Sequence, residues 1–252
     1  MRSFSVSYGR KALGWSGSED GWERAGDPAM HYSRRDVFNA TAASAVTAAI
    51  ASRNFVGPAA AQTNVSPDAA LQQLVDGNTR FAEGRLTSFD EDLGILKAKT
   101  VEKQEPFAAV LSCADSRVPV ELIFDQSIGH LFVTRVAGNI ATTELIASLE
   151  YGVAVLGTKA IMVLGHANCG AVKASIEAKA VPGQISALYP YIRPAVDQAG
   201  PDLEATIKAN AKIQAALLRQ SSPVLADQIK QNQLKIVAAY YDLASGKVTL
   251  LN

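Results

Sequence analysis

Four short runs of apolar residues, separated by segments with helical periodicity, constrain the fold of this chain more than any other feature. The runs are FAAVLSC (107–113), HLFVTRV (130–136), AIMVLGH (160–166) and KIVAAYYDL (235–243). Their apolar residues are continuous rather than alternating, which indicates strands covered on both faces. Alternation of such strands with helices predicts parallel pairing through crossover connections. We therefore expect an α/β fold with a central, mostly parallel β-sheet and helices on both faces.

The segments between these runs complete the predicted sheet architecture. Helices are predicted over 142–157, 171–179 and 203–220. The final VTLL follows a turn at 245–248 and is predicted to form an edge strand.

A helix is also predicted ahead of the sheet, as an N-terminal helical extension. Ser66 and Pro67 provide a cap and a first turn. The apolar residues that share one face of this helix are Leu71, Leu74 and Phe81. Gly77 is expected to stop or kink the helix. The polar segment from 89 to 103 is predicted to run over the surface.

Residues 1–61 have the composition of a segment that is removed rather than folded. Residues 1–29 show no periodicity and are interpreted as a disordered extension or as sequence ahead of a true start at Met30. Residues 30–61 contain the parts of an export signal peptide: two arginines, an uncharged stretch and a small-residue cleavage motif, which are Arg34, Arg35, Val37 to Ser52, and Ala59 with Ala61.

The motif SRRDVF is similar to a twin-arginine signal, although it has Val where Phe is usual and lacks a following Lys. A membrane anchor and a buried helix are the alternatives, but the stretch is shorter and less apolar than a bilayer span. The mature protein is thus predicted to be a single catalytic domain of residues 62–252. It is expected to be periplasmic or secreted, with no stable membrane anchor.

The overall charge excludes one class of partner. The chain has 24 Lys and Arg against 24 Asp and Glu, so no basic field attracts nucleic acid. An apolar content of 48% suits a globular domain with a substantial core. Two cysteines are too few for a disulfide scaffold.

The two cysteines and one of the histidines lie where strands are predicted to end. Cys113 ends the first run, His166 ends the third, and Cys169 follows in the turn GHANCG. Ligand sites of open α/β sheets lie beyond the carboxyl ends of the strands, so these side chains are expected to meet. Two thiolates and an imidazole suit zinc, and three ligands leave a fourth tetrahedral position free for chemistry.

Simpler interpretations of these residues stay open at this point. A cysteine at the end of a buried strand is often a small core residue, and a lone H-x-x-C arises by chance. Export would also favour a Cys113–Cys169 disulfide. A redox dithiol is a further alternative, although the C-x-x-C spacing of such proteins is absent.

Asp115 and Arg117 add a polar pair to the first strand end. Asp115 stands two residues after Cys113 and Arg117 two residues after Asp115, so an extended turn points all three to one side. Arg117 can hold the carboxylate in a bidentate pair, which leaves Asp115 as a hydrogen-bond acceptor beside the metal. The alternative is an ordinary surface salt bridge.

These motifs resemble the two zinc motifs of the β-class carbonic anhydrases. C-x-D-S-R at 113–117 and H-x-x-C-G at 166–170 occur in that family's order, and the resemblance runs from about Leu71 to the C-terminus. It implies one Zn²⁺ per chain, bound by Cys113, His166 and Cys169. It also implies that the catalytic dyad is Asp115 and Arg117.

The resemblance extends to a substrate pocket. Gln104, Phe132 and Tyr151 lie nine residues before the first zinc cysteine, nineteen after it and eighteen before the second. These spacings are those of the plant-type subgroup, in which the equivalent residues line the carbon dioxide pocket across a dimer interface. Gly170, which allows close approach of the backbone, completes the predicted substrate-binding set.

The resemblance implies a carbonate dehydratase, a lyase that reversibly hydrates carbon dioxide to bicarbonate and a proton by means of zinc-bound hydroxide. The expected partners are these small molecules and further copies of the chain, in a homodimer or dimer-based oligomer with the active site at the interface. Two alternatives remain: a hydrolase of carbonyl sulfide or carbon disulfide on the same site, and a non-catalytic zinc-binding module.

Overall fold

The structure is a computed structural model of the 252-residue chain and describes residues 63–88 and 93–251. The predicted extension, export signal and cleavage motif lie outside the described residues and stay predictions. In chain order the elements are α1 (Pro67–Ala82), α2 (Leu93–Thr100), β1 (Ala108–Ser112), α3 (Val120–Ile123), β2 (Leu131–Arg135), α4 (Thr143–Ala154), β3 (Ala160–His166), α5 (Gly170–Glu177), a 3₁₀ helix (Ile185–Leu188), α6 (Tyr189–Ala199), α7 (Leu203–Ser221), α8 (Pro223–Lys230), β4 (Lys235–Tyr241) and β5 (Val248–Leu251).

The sheet confirms the predicted topology. Its strand order is β2-β1-β3-β4-β5, in which β5 is antiparallel to β4 and all other neighbours are parallel. β1 and β3 are buried along their whole length, as continuous apolar runs predict. β2 differs from the prediction, because it is an edge strand and most of its residues are only partly buried.

Helices cover both faces of the sheet. Successive strand residues point to opposite faces. Val110 and Met162 share one apolar cluster with residues of α1 and α3. Leu111 and Val163 belong to a second cluster with residues of α4, α7 and α8. None of the helices in the described ranges combines the length and the apolar content that a membrane span needs.

Helix α1 begins where the sequence predicts and continues past the predicted stop. The Ser66 hydroxyl oxygen accepts a hydrogen bond from the Ala69 N–H at 3.1 Å. The prediction that Gly77 stops the helix is wrong, because α1 continues to Ala82. A Cβ at Gly77 would lie 1.8 Å from the Phe124 carbonyl oxygen, so the glycine allows α1 to lie against the end of α3.

The sequence patterns do not predict α2, α3, α6 or α8. Helix α2 lies in the polar segment that was expected to run over the surface. Helix α6 contains two prolines, which usually interrupt helices. Pro190 occupies the first turn, where its missing N–H removes no helical hydrogen bond, while Pro194 lies inside the helix.

Asp125, just after α3, fastens the segment that follows α1. Its buried carboxylate accepts hydrogen bonds from Arg80 Nε (2.5 Å), from the Thr87 N–H and Oγ1 (2.9 and 2.8 Å) and from the Ser88 N–H (2.8 Å). Burial raises the pKa of Asp125, but these donors outweigh burial and hold its pKa well below the usual range of an aspartate.

The register of β1 and β3 positions the site. Ser112 of β1 is paired with Leu164 of β3, so both strands end at the same edge of the sheet. The residue after β1 and the last residue of β3 therefore lie close together.

Candidate metal centre

Cys113, His166 and Cys169 meet at this carboxyl edge. Cys113 directly follows β1, His166 is the last residue of β3, and Cys169 immediately precedes α5. The two sulfur atoms and a ring nitrogen all lie within 4.8 Å of one another, and all three residues are buried. The structure thus brings the three predicted ligands together.

The chemistry of this donor set fits a zinc ion. His166 Nδ1 lies 2.9 Å from the Ala167 carbonyl oxygen, which can only accept, so Nδ1 carries the proton and Nε2 presents a lone pair. That Nε2 is buried and has no hydrogen-bond partner among the described residues, which is costly unless a ligand engages it. Cys113 and Cys169 are both free thiols, contrary to the disulfide alternative. Two thiolates and an imidazole are a donor set that zinc prefers.

The two thiols ionise unequally. A hydrogen bond from Cys169, assisted by the Gly138 N–H at 3.3 Å, lowers the pKa of Cys113, although burial opposes this. The same contact with Cys113, together with burial, raises the pKa of Cys169. A cation bound here would favour the thiolate form of both cysteines.

Asp115 and Arg117 form the predicted pair beside the donor cluster. Arg117 donates to both carboxylate oxygens, from Nε at 2.9 Å and from Nη2 at 2.7 Å, and its backbone N–H adds a third bond at 2.9 Å. Mainly through its side-chain hydrogen bonds, Arg117 holds the pKa of Asp115 well below its usual range. Asp115 Oδ2 lies 3.8 Å from His166 Nε2. The carboxylate therefore faces the donor cluster, which an ordinary surface salt bridge would not.

Arg135, which the sequence analysis leaves unassigned, clamps the loop that carries Cys113 and Asp115. Its Nε donates to the Cys113 carbonyl oxygen at 3.0 Å, and its Nη2 donates to that of Asp115 at 2.7 Å. Arg135 is the last residue of β2, the neighbour of β1. The signal that would have identified it is the one that located Cys113, a polar residue at the carboxyl end of a parallel strand.

The three predicted pocket residues Gln104, Phe132 and Tyr151 lie in a partly solvent-exposed region. The Phe132 and Tyr151 rings pack at 6.3 Å between centroids, tilted by 43°. Tyr151 and Gln104 line one cavity of about 480 Å³, whose walls include none of the three metal donors. The Tyr151 residue is 47% exposed. Tyr151 thus contacts Phe132 and lines a cavity with Gln104, and part of Tyr151 faces solvent.

Two glycines near this group differ in what they allow. A Cβ at Gly152 would lie 3.1 Å from Phe132 Cδ1, so the glycine lets the Phe132 ring lie against α4. A Cβ at Gly170 would meet no described atom within 4 Å. Close packing within the chain therefore does not explain Gly170, and its contact with substrate stays a prediction.

Comparisons with known proteins decide the family. The sequence model of the family described as carbonic anhydrase matches residues 108–248, more than half of the chain. The chain belongs to the carbonic anhydrase family. Carbonic anhydrase 2 of Mycobacterium tuberculosis is 33% identical over 205 residues, which cover 74% of this chain and 94% of that protein.

Solved structures indicate that this carbonic anhydrase is of the β class. The β-carbonic anhydrase CcaA matches with a TM-score of 0.58 and 26% identity, over 72% of this chain and 95% of its own. The Coccomyxa β-carbonic anhydrase, solved in complex with acetazolamide, matches with a TM-score of 0.57 and 26% identity, over 72% and 86%. The predicted fold and enzyme class are confirmed, and family membership favours carbon dioxide over carbonyl sulfide and an enzyme over a module without turnover.

Proposed function

We propose that this carbonic anhydrase is a zinc enzyme that reversibly hydrates carbon dioxide to bicarbonate and a proton, with zinc held by Cys113, His166 and Cys169. The observation that carries the proposal is the convergence of two sulfur atoms and an unpartnered, buried imidazole nitrogen within 4.8 Å. Zinc in such a site acidifies a water molecule, so that the nucleophile for carbon dioxide exists near neutral pH.

Asp115 and Arg117 are proposed to orient the reacting water. Because Arg117 keeps the pKa of Asp115 low, the carboxylate is an acceptor throughout the neutral range. Its Oδ2 is 3.8 Å from His166 Nε2, close enough to the donor cluster to accept a hydrogen bond from that water. Fixing the water in this way converts a random approach into a prearranged one.

Gln104, Phe132 and Tyr151 are proposed to hold carbon dioxide in a plant-type pocket. The aromatic rings provide apolar walls, and the Gln104 amide donates to the oxygen on which negative charge develops. Gly170, next to the second cysteine, is proposed to offer its backbone to the substrate.

A second copy of the chain is proposed to cover this pocket, in a homodimer or a larger dimer-based assembly. Tyr151 and Val101, which line the same cavity, are 47% and 78% exposed, and clustered exposed apolar residues are typical of interaction surfaces. Analytical ultracentrifugation tests this, and a monomer at full specific activity would contradict it.

Stopped-flow measurement of carbon dioxide hydration by the full chain tests the catalytic proposal. Activity is expected to disappear when a chelator removes the metal and to return with zinc. Asp115→Asn should retain zinc and lose most activity, whereas Cys113→Ser should lose both. The Coccomyxa relative was solved with acetazolamide, and we expect the same compound to inhibit this enzyme. Activity that survives removal of zinc, or faster turnover of carbonyl sulfide in a parallel assay, would contradict the proposal.

The chain is further proposed to be exported, with residues 30–61 as a twin-arginine-like signal and 62–252 as the mature domain. The support is the sequence pattern of paired arginines, uncharged stretch and cleavage motif. A twin-arginine route carries folded protein, so zinc would be bound before the thiols meet an oxidising compartment. N-terminal sequencing of exported protein should begin near Gln62, and an intact Met1 or Met30 there would contradict the cleavage, whereas protein confined to the cytoplasmic fraction would contradict export.

A further inference from the structure

A buried pair of amide side chains on α7 connects this helix to the loop beside Cys113. Asn210 and Gln214 are 0% and 1% exposed and lie one helical turn apart. Asn210 Nδ2 donates to the Gly138 carbonyl oxygen at 2.9 Å, and Gln214 Oε1 accepts from the Ala141 N–H at 2.9 Å. The two amides therefore hold the loop of residues 136–142 at two points.

The hydrogen bonds of this pair allow only one orientation of each amide. Gln214 Nε2 donates both to Asn210 Oδ1 at 3.2 Å and to the Tyr191 carbonyl oxygen at 3.0 Å. Reversing either amide would set donors against donors and acceptors against acceptors. Buried polar groups destabilise a protein unless they are fully paired, and apolar residues at these two positions would leave the Gly138 carbonyl and the Ala141 N–H without these partners. The pairing thus indicates that the two amides hold the loop in one defined position.

The loop reaches Cys113 through a backbone conformation that only glycine adopts easily. Gly138 has φ +81° and is followed by Asn139 at φ +44°. In this conformation the Gly138 N–H points at Cys113 Sγ, 3.3 Å away. A Cβ at Gly138 would lie 2.8 Å from Ile192 Cδ1, so the residue is packed between α6 and the sulfur. Asn210 thus binds the same residue whose N–H reaches the sulfur.

We propose that Asn210 and Gln214 are positioning residues of the metal centre: by holding loop 136–142, they keep the Gly138 N–H on the Cys113 sulfur and so fix the direction in which that sulfur faces the metal. Loss of a hydrogen bond behind a metal ligand typically weakens metal affinity by ~10–100-fold. This inference rests on the proposed zinc site.

The test compares amide variants with a buried control in the full chain. Asn210→Leu removes the bond to Gly138, and Gln214→Glu keeps an acceptor for Ala141 but removes the donor to Asn210 and Tyr191. Leu74→Ala is the control, because Leu74 is fully buried on the opposite face of the sheet and its truncation lowers stability without touching the loop. Zinc affinity is measured by competition with a chromogenic chelator, and ligand geometry by the sulfur-to-cobalt absorption band of the Co²⁺-loaded protein.

Both amide variants are expected to bind zinc about 10-fold or more weakly and to shift or weaken the cobalt band. Leu74→Ala should lower the free energy of unfolding and leave both readouts unchanged. A folded amide variant with the zinc affinity and cobalt band of the wild type would overturn the positioning role, and so would a Leu74→Ala protein that loses both to the same degree. Wild-type protein that binds neither metal would instead overturn the proposed zinc site.

Discussion

Replacement of Arg135 by methionine tests how far catalysis depends on the anchored loop between Cys113 and Asp115. Methionine keeps the apolar stem of the side chain but removes the donors to the two loop carbonyls, which they contact at 3.0 and 2.7 Å. We expect slower turnover of the zinc-replete protein, because the loop loses its anchors while the metal ligands remain.

The magnitude follows from the two hydrogen bonds. Bonds from a charged donor contribute ~1.5–3 kcal/mol each, which sets an upper limit of about 6 kcal/mol. Arg135 is exposed, and water compensates part of each bond, so about 2 kcal/mol is expected to remain. At ~1.36 kcal/mol per factor of ten, this corresponds to a kcat/KM lower by roughly 30-fold.

The assay is stopped-flow carbon dioxide hydration, with zinc content and urea unfolding measured on the same samples. Arg219→Met is the matched control, since Arg219 also donates to a backbone carbonyl, that of Ile236, but near the start of β4 and away from the loop. It should lower stability and leave kcat/KM unchanged. Arg135→Lys should recover only part of the activity, because one ammonium lacks the fork geometry of the guanidinium. Wild-type kcat/KM in a zinc-replete Arg135→Met protein would refute the reasoning.

Three further substitutions test other parts of the structure. Asp125→Asn should lower the free energy of unfolding by about 2–3 kcal/mol at pH 7, because the buried donors lose an ionised acceptor. Folding lowers the pKa of Asp125, so the stability difference between wild type and Asp125→Asn should shrink as the pH falls below the unfolded-state pKa of ~3.9. Urea unfolding that gives the same stability difference at pH 7 and at pH 3 would contradict this. Gly152→Ala puts a methyl group 3.1 Å from Phe132 Cδ1 and should displace this ring of the proposed carbon dioxide pocket. kcat/KM should then fall several-fold at unchanged zinc content. An unaltered kcat/KM would contradict the proposed role of Phe132. Gly77→Ala puts a Cβ 1.8 Å from the Phe124 carbonyl oxygen. The overpacking should cost ~1–3 kcal/mol or more of stability, which exceeds the helix-propensity gain of ~1 kcal/mol. A raised melting temperature would contradict this expectation.

The strands are the most predictable part of this fold. β1 and β3 are buried at every position, and a continuous apolar run is the direct sequence signature of that environment. Helix α6 shows where the patterns fail. Its prolines indicate an interruption, yet Ile192 and Ala195 are fully buried, and this packing outweighs the local preference.

The metal site also contains some residues that the sequence predicts and others that it does not. Cys113 and His166 are predictable because strand ends meet at one edge of a parallel sheet. Asn210 and Gln214 are not, because the residues they hold are 72 and 73 positions away in the sequence. Polar residues inside a helix are also typical of its solvent face, and only the packed structure shows that these two are buried.

The placement of Cys113 and His166 at the ends of neighbouring interior strands has a consequence for the metal-free protein. To separate the two residues, β1 and β3 must come apart, and the apolar layers on both faces would open with them. The distance between the two donors is therefore fixed by the packed core itself, whether or not an ion is bound. Metal-free enzyme would then keep both donors in place, and zinc could be removed and restored without any opening of the sheet.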